Sequence, residues 1–65
     1  MIDTITVTNA EELGYDCGGA WAVYIGVGGQ PDTDICLISG VSYRHASLRA
    51  DTTQRLNPHM HIYEL

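Results

Sequence analysis

The chain contains no lysine and no phenylalanine, and no basic side chain of any kind precedes Arg44. Without lysine there is no phosphate loop of the Walker type, which needs one to reach the phosphates. No long apolar run is present either. The longest, Ala20 to Val27, is interrupted by Gly26 and is far short of the roughly 20 residues a membrane helix requires. The opening Met1-Ile2-Asp3-Thr4-Ile5 lacks the basic start and unbroken apolar stretch of a secretory signal. The expectation is a soluble, cytoplasmic protein.

What is there is small. At 65 residues the chain is one domain, 1–65, that hides only about 60% of its unfolded surface. Its apolar set is six Ile, five Leu, five Ala, four Val, four Tyr, two Met, two Cys and Trp21. That fills one thin core of a sheet with a helix on it. It leaves little room for a buried cofactor or a substrate cavity of roughly 300 Å³ or more.

The residues that usually carry chemistry do not group in the sequence. Cys17 and Cys36 are far apart, whereas structural zinc sites bring their ligands in close pairs. His59 and His61 would share one face of a strand, and two surface histidines beside Tyr63 are the simpler reading. Cys17 lies among Glu11, Glu12 and Asp16, which disfavour the thiolate a nucleophile needs. Two reduced cysteines with Cys36 in the core are expected, and a disulfide is the alternative. Gly26-Val27-Gly28-Gly29 is followed by Pro31 and reads as a hairpin turn, not as a dinucleotide loop, which must open a helix. No catalytic residue, metal or cofactor is expected, and the chain is not read as an enzyme.

Periodicity gives an α+β class. Ile2 to Thr8 alternates as a strand. Thr8…Glu11 and Asn9…Glu12 both fit a capping box, so a short helix is expected over about Ala10 to Tyr15, stopped by Gly14. Ala20 to Val27 and Asp34 to Val41 read as strands of a hairpin with a loop of about six residues, both apolar enough for the middle of the sheet. Leu48, Thr52 and Leu56 lie four apart and share a helix face. A helix is expected from about Ala46 to Leu56, with Ser47 as a cap, or from a later cap at Asp51 completed by Gln54. Asn57-Pro58 ends it. His59 to Leu65 alternates as a last strand. The prediction is a small antiparallel sheet of three to four strands with one short and one longer helix, in the β-α-β-β-α-β order of a cut-down ferredoxin-like arrangement.

The acids stand out. Asp3, Glu11, Glu12, Asp16, Asp32 and Asp34 all precede residue 44, where no base offsets them, while Arg44, Arg49 and Arg55 sit in the remainder; the whole chain carries −5. This balance argues against direct nucleic-acid binding. A soluble acidic surface accounts for it, and so does a negative face offered to a basic partner.

In length, compact α+β pattern and uncompensated acids, the chain resembles the small acidic anti-CRISPR proteins of phages, particularly inhibitors of type I effector complexes, type I-C among them. The resemblance covers the whole chain but rests on no shared motif, so it assigns no functional residue. It implies a stoichiometric, non-catalytic inhibitor in the host bacterial cell that blocks target DNA binding, as a DNA mimic, by occupying a positively charged channel. The contact residues expected are Glu11, Glu12 and Asp16, then Asp3, Asp32 and Asp34. Tyr15 is either an aromatic anchor or a core residue. A monomer is expected. An antitoxin or immunity-type partner of another basic protein is the alternative.

Overall fold

The computed structural model describes residues 1–65. Four strands, β1 (Thr4–Thr8), β2 (Trp21–Val27), β3 (Gln30–Val41) and β4 (His61–Glu64), form one sheet in the order β3-β2-β1-β4. A single 3-10 turn, Glu11–Leu13, lies between β1 and β2, and one helix, α1 (Tyr43–Leu56), joins β3 to β4. The α+β class holds. The sheet is mixed, however: β1 pairs antiparallel with β2 and parallel with β4. A split βαβ plan needs two crossover helices. Here only α1 crosses over, and the short turn merely links antiparallel neighbours.

β1 is the centre of the molecule, and all five of its residues are buried. Ile5 and Val7 face α1 and form the main core with Val23, Ala46, Ala50 and Met60. The threonines take the other face. There Cys17, Ala22 and Tyr24, with Tyr15 against them, make a second cluster beneath the β1–β2 connection. The sheet is therefore covered by α1 on one side and by residues 9–20 on the other.

The β2–β3 hairpin is tighter than expected. Gly28 and Gly29 both have positive φ, 64° and 81°, as a two-residue turn of the I′ kind demands. Val27 then pairs directly with Gln30. Pro31 does not exclude the strand, because β3 is an edge strand and not a middle one, and edges tolerate a missing N–H. Register shifts along β3 bend it over the core.

α1 begins earlier than expected. Ser42, in an extended conformation, is its N-cap, and its hydroxyl accepts the His45 N–H at 3.2 Å. Trp21 and Tyr43 stack edge-on, ring centres 4.8 Å apart, and tie this end to β2. The helix faces the sheet with Ala46 and Ala50, while Leu48 and Leu56 point to solvent, 54% and 77% exposed. The spacing of Leu48, Thr52 and Leu56 thus marks an exposed stripe and not the buried face of the helix. At the C-terminus, the Asn57 backbone N–H reaches the Thr53 and Gln54 carbonyls and Pro58 prevents continuation.

Candidate functional site

The connection between β1 and β2 holds the densest group of acids. Ala10 is buried beneath it, and its N–H donates to the Thr8 hydroxyl at 2.9 Å. The expected helix collapses to one 3-10 turn because neither capping box forms. The Glu11 carboxylate accepts the Gly19 N–H at 2.6 Å instead. Asp16 is fixed by three hydrogen bonds. Its backbone N–H donates to the Tyr24 hydroxyl at 3.0 Å, and that hydroxyl donates to the Asp16 carbonyl at 2.8 Å. Its carboxylate accepts the Gly18 N–H at 3.2 Å.

The end of this connection is pinned to β3. The Gly40 N–H donates to the Cys17 carbonyl at 3.0 Å. A Cβ on Gly18 would stand 2.9 Å from the Gly40 Cα, so this approach requires glycine. Glu11, Glu12 and Asp16 are exposed on the resulting scaffold. Tyr15 is half-buried, its ring centre 5.4 Å from that of Tyr24.

The other acids lie elsewhere. Asp3 is at the hairpin end of the sheet, and its carboxylate accepts the Gly28 N–H at 2.9 Å and the Thr4 hydroxyl at 3.0 Å. Those bonds, the Gly28 amide first, hold its pKa below the ordinary carboxylate value. Asp32 accepts the Asp34 N–H at 2.9 Å on β3. The five residues of β1, about 17 Å at a strand's rise, separate this group from Glu11, Glu12 and Asp16. The six acids therefore form two groups and not one continuous patch.

The charges divide across the sheet. The acidic connection covers the threonine face, whereas Arg44, Arg49 and Arg55 all ride on α1 on the opposite face. For Glu11, Glu12 and Asp16 the segregation at residue 44 is thus also a spatial one, while Asp51 shares α1 with the arginines.

Cys36 does not take the core position expected for it. Cys17 is buried, Cys36 is exposed, and both are free thiols. Burial, with Glu11 and Asp16 nearby, pushes the Cys17 thiol pKa up. Its sulfur points to the Thr8 carbonyl at 3.5 Å. Burial likewise raises the Tyr24 phenol. The His59 ring nitrogen lies 3.1 Å from the Ile2 carbonyl, away from Cys17 beneath the opposite face. No three metal-ligating side chains converge.

One feature contradicts the expectation from size. A cleft of about 640 Å³ opens between the C-terminal half of α1 and the sheet. Ile2, Ile25, Leu37, Leu56 and Met60 are its apolar lining, and Arg49 is its only permanent charge. Ala46 and Ala50 are the buried residues of α1 and pack on the sheet, and the cleft lies beside them.

Fold and surface together define a small α+β protein with charge of opposite sign on the two faces of a mixed sheet. Its helix is not long and apolar enough to cross a membrane. Compared with protein-family models, curated proteins and solved structures, the chain matches none.

Proposed function

We propose that the protein is a stoichiometric, non-catalytic inhibitor of the anti-CRISPR type. It binds a basic nucleic-acid-binding surface of a type I CRISPR effector complex and blocks target DNA, acting as a DNA mimic. The observation that carries this reading is the presentation of Glu11 and Asp16, each held by a backbone amide, with exposed Glu12 beside them, on the face opposite every arginine. Carboxylates held by backbone bonds need little further ordering on binding. The arginines, placed behind the sheet, do not repel a basic partner at the contact.

The test is capture of the effector complex, with inhibition of its DNA binding, at low and high salt. Affinity falls as ionic strength rises, because exposed charges are screened. The variant combining Glu11→Gln, Glu12→Gln and Asp16→Asn removes the charge while keeping hydrogen-bond acceptors for Gly18 and Gly19. It loses inhibition at an unchanged circular dichroism spectrum. Full inhibition by this variant refutes the assignment. Capture of a basic nuclease toxin instead of effector subunits transfers the same surface to an antitoxin-type role.

A further inference from the structure

We propose that the cleft between α1 and the sheet is a binding site for a small apolar carboxylate, such as a medium-chain acid. At about 640 Å³ it falls within the range of small-ligand sites, which are mostly apolar with a few placed polar groups. Ile25 and Leu37 on the sheet remain half-exposed along it, and Leu56 on the rim is 77% exposed. Met60 closes the floor. Ile25 and Leu37 pack on the core beside Met60 along one side and leave their remaining surface open to the cleft. An apolar tail laid between them removes that surface from water.

Charge selects the head group. Eight acids occur in the chain, yet none is among the residues that line the cleft. Arg49 is there, and its planar guanidinium suits a carboxylate in bidentate geometry. Arg49 also sits on α1, so the sheet separates this cation from Glu11, Glu12 and Asp16. Around it the polar groups largely satisfy one another: the Thr53 hydroxyl donates to the Arg49 carbonyl at 2.8 Å, and the Asn57 amide donates to the Thr53 carbonyl at 3.0 Å. The wall of the cleft is fixed while the guanidinium remains available.

Calorimetric titration of the intact chain with octanoate, octanol and octylammonium tests this, with sedimentation to report mass. Octanoate binds with one site per chain, octanol more weakly and octylammonium not at all. Arg49→Gln weakens octanoate roughly tenfold or more and abolishes its advantage over octanol. Leu56→Glu, at an exposed position, weakens octanoate while the fold is retained. Equal binding of the ammonium, or an unchanged octanoate affinity in Arg49→Gln, overturns the proposal. So does the absence of octanoate binding, including in a dimer whose second copy covers the cleft.

Discussion

Thr4, Thr6 and Thr8 occupy equivalent positions on β1, and their hydroxyls meet different fates. Thr4 donates to Asp3 and accepts from the Gly29 N–H at 2.8 Å, and Thr8 accepts from Ala10. The Thr6 hydroxyl, between register partners Tyr24 and Tyr63, is buried without a partner. A buried unpaired hydroxyl costs free energy that an isosteric methyl does not. Thr6→Val therefore raises stability by about 1 kcal/mol, and Thr8→Val, which orphans the Ala10 amide, lowers it by about as much. Urea midpoints compare the two directly. Asp3 makes stability depend on acid. Its folded pKa is depressed below 3.8, so its contribution is complete above that value and disappears as pH falls through the lower folded one. Thermal melts between neutral pH and pH 2 follow this loss, which Asp3→Asn shows in much weaker form. The cysteines give a third readout. Cys36 reacts with a thiol reagent in the native protein, and Cys17 reacts only after denaturation.

At the scale of elements, the connection of residues 9–20 depends on the Gly18–Gly40 approach. Gly18 has a φ of 61°, and Gly18→Ala adds steric overlap to backbone strain. We expect a loss of about 1–3 kcal/mol and earlier protease cleavage between residues 9 and 20. Ser42→Ala costs about 1 kcal/mol of helix stability, read from the same unfolding curves. The same elements show what the sequence could reveal. Alternation of β-branched residues fixed β1, and Ala20 to Val27 was equally clear, because both carry a period-two pattern into two covered faces. The start of α1 was obscured since Val41 to His45 suits strand or helix, and only the turn after β3 makes Ser42 a cap. Pro31 falls within the expected hairpin loop, because the tolerance of a strand proline depends on β3 being an edge, a fact of topology. The capping boxes failed for a tertiary reason: Gly19 folds back to claim the Glu11 carboxylate.

For the whole molecule, the sequence showed the segregation of charge but not its geometry. Asp3, Asp32 and Asp34 look continuous with Glu11, Glu12 and Asp16 along the chain, and the length of β1 parts them. The cleft was not legible, because its lining gathers residues from Ile2 to Met60 that only the tertiary packing of α1 on the sheet brings together. Parallel pairing of β4 with β1 has a consequence in time. Thr4 must find His61, a contact across 57 residues, whereas β1, β2 and β3 pair with their sequence neighbours through the connection of residues 9–20 and the Gly28-Gly29 turn. Closing so long a loop is slow to gain its reward. The antiparallel three-strand meander then forms first, and β4 docks last, delivered by α1 across the sheet. Substituting Ile62 by Ala should therefore quicken unfolding and leave the folding rate nearly unchanged. Stopped-flow measurements in urea separate the two limbs, and a slowed folding limb would place β4 in the nucleus instead.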